Sequence, residues 1–100
     1  MFGDLMGNLE KQQAEMQKKL TLIPVEVEIE GIKIMGNATK TITNLEVEST
    51  LLDVNNKEML EDLLLTAINR FVEKAAKVEA SEAQNLMSNM LPPGFEDMFK

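Results

Sequence analysis

The stretch PVEVEIEGIKIMGNATKTITNLEVE, residues 24–48, decides the fold. Val25, Val27 and Ile29 alternate with Glu26, Glu28 and Glu30, a period of two that turns one side of a strand toward a core and the other toward water. Glu30-Gly31 is short enough to be a tight turn, and Ile32 and Ile34 resume the alternation around Lys33. Gly36-Asn37-Ala38 carries a second turn signal. A third strand covers roughly 40–48, where Leu45 and Val47 alternate with Glu46 and Glu48. Ile42 is out of phase with Leu45, which predicts a bulge or a change of face near Asn44. The product is a three-stranded antiparallel meander, apolar on one face, and so small a sheet needs a cover.

Downstream, the period changes to that of a helix. Asn55 reads as the N-cap, Glu58 follows three residues later as in a capping box, and Val54 with Met59 forms the matching hydrophobic staple. The pattern then runs unbroken to about Met90, where Leu91-Pro92-Pro93-Gly94 stops it. Such a helix is about 50 Å long at 1.5 Å per residue, whereas a short strand spans only about 20 Å, so half of it overhangs the sheet. Leu60, Leu64, Ala67, Ile68, Phe71, Ala75 and Val78 make one stripe suited to the sheet. Leu65, Val72, Ala76 and Ala83 make a second stripe beside it, too apolar for water, and the alanines at 75, 76, 80 and 83 permit close approach of another helix. The second stripe predicts a homodimer with Leu65, Val72, Ala76 and Ala83 at its interface.

Upstream, residues 2–20 read as an amphipathic helix, with Phe2, Leu5, Leu9, Met16 and Leu20 on one arc and Lys11 and Lys18 on the other side. Gln12 and Gln13 interrupt the apolar arc, as a seam against another helix would allow. Pro24 ends the pattern. The expected architecture is therefore a single α+β domain over residues 1–90 in the order α-β-β-β-α, followed by a flexible C-terminal tail, 91–100. Phe95, Met98 and Phe99 stand at helical spacing in that tail, which is too short to hold a helix alone.

One hundred residues bury a modest core, for which dimerisation is a natural remedy. The absence of Cys and His removes thiolate and imidazole metal sites, disulfides and His-assisted nucleophiles. The carboxylate groups Glu26/Glu28/Glu30, Glu46/Glu48 and Glu61/Asp62 lie on faces expected to be wet, and no Gly-rich phosphate loop is present. The expectation is a non-enzyme without metal, cofactor or small-molecule substrate. No apolar run approaches a membrane span, and no signal-peptide pattern opens the chain; a cytoplasmic protein is expected.

The formal net charge of −7 requires any polyanion binding to come from a local patch. Arg70, Lys74 and Lys77 supply one, sharing an arc of roughly 60° at 100° per residue, while Glu58, Glu61, Asp62 and Glu79 lie on the other side of the helix. Lys11 and Lys18, with Lys19 nearby, make a shorter strip on the first helix. Repeated by a two-fold axis, these strips can straddle the phosphates of a duplex. The same residues also form ordinary helix-surface pairs, Lys11–Glu15, Glu15–Lys19, Arg70–Glu73 and Glu73–Lys77, each worth a few tenths of a kcal/mol. Over residues 1–20, three basic residues balance three acidic ones. No aromatic residue interleaves with the lysines, which argues against stacking on single strands.

The opening MFGDLMGNLEKQQAEMQKKL (1–20), the stretch LLDVNNKEMLEDLLLTAINRFVEKA (51–75) and the closing LPPGF (91–95) together resemble the YbaB/EbfC family of bacterial nucleoid-associated proteins over nearly the whole chain. The resemblance implies an α-β-β-β-α subunit that dimerises into a tweezer-like body, located at the nucleoid and binding double-stranded DNA with little sequence specificity. It implies DNA contacts at Lys11, Lys18, Lys19, Arg70, Lys74 and Lys77. A second class stays open: a chaperone-like or protein-interaction dimer that does not bind DNA. Eight Met residues offer adaptable surface for it, with Met87, Met90 and Met98 where the helix leaves its core.

Overall fold

The computed structural model describes residues 2–90. Helix α1 spans Phe2–Thr21, strands β1, β2 and β3 span Pro24–Ile29, Ile32–Asn37 and Ile42–Val47, and helix α2 spans Lys57–Met90. Two single-turn 3-10 helices, Ser49–Leu51 and Val54–Asn56, lead into α2. The element order is the α-β-β-β-α expected from the sequence, in an α+β fold. The tail with Phe95, Met98 and Phe99 lies outside the described residues, as do the side chains of Phe2, Leu5 and Met90.

The strands form one antiparallel sheet in the order β1-β2-β3. Ile29 pairs with Ile32, so Glu30 and Gly31 are the whole connection. Both have positive φ, 43° and 96°, the left-handed pair of a type I′ turn whose twist matches that of the strands it joins. The core-side pairs are Val25–Gly36, Val27–Ile34 and Ile29–Ile32 between β1 and β2, and Ile32–Val47 and Ile34–Leu45 between β2 and β3. Met35 pairs with Asn44 but Gly36 with Ile42, leaving Thr43 unopposed. This is the bulge predicted near Asn44, and it brings Ile42 onto the same face as Leu45.

Gly36 differs from the sequence reading. It is not a turn residue but lies inside β2, where a Cβ would collide with the Thr41 carbonyl and stand 2.6 Å from Cζ of Phe71. The turn itself comes later, with Lys40 at φ 68°. Asn37 braces it by accepting from the Thr39 amide (3.0 Å) and hydroxyl through Oδ1.

Leu20, Val25, Ile32, Ile34, Ala38, Ala67, Phe71 and Ala75 form the buried core. α2 contributes three of them from one face, and Leu60, Leu64 and Val78 pack around these as the first stripe predicts. Ile68, assigned to the same stripe, is at its exposed rim. The end of α1 is pinned to the sheet: Leu20 is buried, and the Ala38 amide donates to the carbonyls of both Leu20 and Ile23 at 3.1 Å.

The start of α2 also departs from the expectation. The side-chain cap is Asp53, whose Oδ1 accepts from the Asn55 amide at 3.0 Å, and Val54 is 92% exposed. Asn55 is therefore a capped residue and the Val54–Met59 staple does not form. A carboxylate two residues upstream holds that amide first, and the 3-10 turn it organises swings Val54 outward.

Candidate functional site

Two flanks of α2 have opposite character, and the sheet beneath shows which way each faces. Lys74 Nζ donates to the backbone carbonyl of Glu26 at 2.7 Å, so its flank lies along the free edge of β1. On the other flank Glu79 Oε1 lies 3.9 Å from Nζ of Lys40, in the turn that joins β2 to β3.

The β1 flank is basic. Arg70, Lys74 and Lys77 follow one another up it, all exposed. Lys74 uses one of its three ammonium protons on Glu26, which orients the side chain while leaving its charge facing solvent. Lys11 and Lys18 on α1 are exposed as well. Lys19 is tied down: its Nζ is 2.7 Å from Glu82 Oε2 on α2. The six expected basic positions thus form a row of three on α2 and a separate group on α1, and among the described residues only Lys19 is held by a carboxylate.

The solvent face of the sheet has the opposite sign. Glu26 and Glu28 on β1 and Glu46 on β3 surround Lys33, whose Nζ reaches Glu26 Oε1 at 3.3 Å. The hydrogen bond that Lys33 donates to Glu26, and then the Glu26 charge, hold the ammonium above its ordinary pKa against a lesser opposing effect of desolvation, with smaller contributions from Glu46 and Glu28. A polyanion would be repelled from this face and drawn to the α2 flank around the edge from it.

Among the described residues, nothing covers the apolar flank of α2 over β3. Leu65 is 62% exposed and Val72 40%; Ala83 is exposed and Ala76 half-buried. Below them Ile42 and Leu45 stand 40% and 47% exposed on the core face of β3. An α-helix is about 10 Å wide and strands are about 4.8 Å apart, so one helix covers two strands and not a third. The stripe on α2 is legible in the sequence, whereas the ledge on β3 follows from the width of a helix set against three strands. Farther out, Leu9 and Met16 of α1 and Ala83, Leu86 and Met87 of α2 line an open groove between the two helices.

Among the described residues there is no group of three or more His, Cys, Asp or Glu side chains that could hold a metal ion, and no helix is long and apolar enough to cross a membrane.

Comparison with known proteins places this architecture. The model of the YbaB/EbfC DNA-binding family matches residues 1–90. The crystal structure of the uncharacterized protein HP0035 from Helicobacter pylori superimposes with a TM-score of 0.69 at 20% sequence identity, covering 91% of this chain and 94% of that one. That likeness speaks for the fold alone.

Proposed function

The chain belongs to the YbaB/EbfC DNA-binding family, and from that premise we propose that it is a non-enzymatic, nucleoid-associated protein of the cytoplasm that binds double-stranded DNA through phosphate contacts, with little sequence specificity, as a homodimer. The observation that carries the reading is the row Arg70, Lys74 and Lys77 on a rigid helix, segregated from the acidic face of the sheet. Lys11, Lys18 and Lys19 on α1 complete the proposed contact set.

Such a row binds a duplex by displacing condensed counterions, which needs charge in register and no reading of bases. Low specificity follows, since contacts from Lys and Arg to phosphate oxygens carry no sequence information. The bare apolar flank supports the homodimer: Leu65, Val72, Ala76 and Ala83, with Ile42 and Leu45 beneath, offer a surface that a second copy would cover. Two-fold pairing would then present both basic rows to one duplex.

The test is fluorescence anisotropy of a labelled random duplex across a salt series. Six phosphates engaged by the two α2 rows alone, three per subunit, give a log–log slope of about −5, and contacts from α1 steepen it further. Absence of binding at low salt would sink the reading. A chaperone-like dimer is the alternative, favoured by the open groove at Leu9 and Met87; apolar gripping does not weaken with salt, so the same series separates the two.

A further inference from the structure

Lys19 and Glu82 make a contact unlike the other ion pairs of the molecule. Among the described residues there are four ion pairs, and three of them join side chains that are both at least 36% exposed. The Glu82 side chain is only 20% exposed, and its Oε2 is shut off from solvent with no well-directed hydrogen bond. The Lys19 ammonium, 2.7 Å away, is the charge that compensates it. Gln12, Glu15 and Met16 of α1 and Asn85 and Leu86 of α2 wall the cleft in which they meet. One residue further along α1, Leu20 is buried in the core, so the backbone carrying Lys19 is fixed and its ammonium cannot leave Glu82 by moving the helix end.

A carboxylate oxygen shut off from water is costly to leave without its cation, even where the partner lysine is itself 61% exposed. A DNA phosphate reaching Lys19 must therefore either leave Glu82 uncompensated or share the ammonium with it. It also releases fewer of the counterions condensed on the DNA, because an ammonium shared with a carboxylate neutralises less of the phosphate charge. Lys18, next in the chain and exposed, has no carboxylate partner among the described residues.

We propose that Glu82 is an internal competitor of DNA phosphate for Lys19. It keeps this lysine out of the contacts made by Lys11, Lys18 and the α2 row, and so sets the affinity of the protein below what its basic residues could deliver. The proposal rests on the DNA-binding reading above and narrows its contact set: Lys19 is held in reserve, and Glu82 is a positioning residue that acts through it.

The experiment is the same anisotropy salt series on full-length protein, with Glu82→Gln, Lys19→Gln, the double variant, and Glu58→Gln as a control that removes equal charge from an exposed position far along α2. Circular dichroism first establishes that each variant is folded. Glu82→Gln should tighten binding and steepen the slope by about 1.8, one added phosphate per subunit of a dimer at about 0.9 each. Glu58→Gln should leave the slope unchanged, and Glu82→Gln should have no effect on slope once Lys19 is Gln. Lys19→Gln alone should leave the wild-type slope in place while Lys18→Gln flattens it, a comparison that stands even if Glu82→Gln does not fold. A slope lost equally with Lys18→Gln and Lys19→Gln, or a slope unmoved by folded Glu82→Gln, overturns the proposal while leaving DNA binding intact. Wild-type protein that does not bind DNA at all removes the reading on which it rests, and the proposal with it.

Discussion

Phe71 lies against Gly36 so closely that a Cβ on the glycine would stand 2.6 Å from the ring Cζ, with the Thr41 carbonyl blocking the other side. The fully buried ring fills the space a side chain would occupy, and the bulge opposite Gly36 turns β3 around it. Gly36→Ala should therefore destabilise the protein by about 1–3 kcal/mol through overpacking, and Phe71→Ala by about 3–5 kcal/mol through the cavity it leaves. Urea unfolding at fixed protein concentration measures both. Because the two act on one contact, their effects should not add. A Gly36→Ala variant as stable as the parent would show that β2 and the helix can separate freely there.

The β1–β2 turn predicts a gain as well as a loss. Glu30 occupies a left-handed conformation, φ 43°, that Asn tolerates better than a long carboxylate side chain does. Glu30→Asn creates Asn-Gly, the preferred type I′ pair, and should stabilise by about 0.5–1 kcal/mol. Gly31→Ala should cost more than about 1 kcal/mol, since its φ of 96° is strained for a side chain and the new Cβ would meet Glu48 Oε2 at 2.8 Å. Thermal melts of the two variants should move in opposite directions.

Much of this fold can be read from local pattern because its elements are set by local pattern. Alternation in 24–29 and 32–34 defines the hairpin, and the phase slip between Ile42 and Leu45 marks the bulge. What escapes a linear reading is made by contacts between distant segments. Gly36 has the composition of a turn, and only the arrival of Phe71 explains why a strand needs a glycine there. Asn55 has the right chemistry for a cap, but Asp53 is near enough to reach its amide first. Among the basic residues, helical spacing groups Arg70, Lys74 and Lys77, yet it cannot reveal that Lys19 meets Glu82 or that Lys74 reaches the Glu26 carbonyl. Helix-surface rules list partners three and four residues away, and these partners lie on other elements.

Charge reversal on the α2 row provides the sharpest test of phosphate contact. Arg70→Glu with Lys74→Glu should abolish most binding at moderate salt and flatten the slope by about 3.6, four phosphates per dimer at about 0.9 each. Neutral Lys77→Gln should remove about 1.8 of slope by the same arithmetic. Lys74→Gln should have a similar effect on slope with little loss of stability, since its bond to the Glu26 carbonyl is exposed. A slope that survives the double reversal would move the DNA contacts to α1.

The apolar flank makes the last prediction. If a second copy covers Leu65 and Val72, the midpoint of unfolding should rise with protein concentration, as mass action requires when only the native state associates. Val72→Asp or Leu65→Asp would place a charge in that interface and should give a monomer by analytical ultracentrifugation, with the midpoint no longer dependent on concentration. Leu45→Asp should do the same from the sheet side, since Leu45 faces the same direction as the helix and is not covered by it. Val72, Leu65 and Leu45 are 40%, 62% and 47% exposed in the single subunit, so each substitution should leave the isolated fold standing. Loss of DNA affinity in such a folded monomer, with a salt slope near half the parent value, would show that the two basic rows act on one duplex only when the flank is closed. A slope unchanged in the monomer would mean that each subunit binds alone and that the apolar flank serves another purpose.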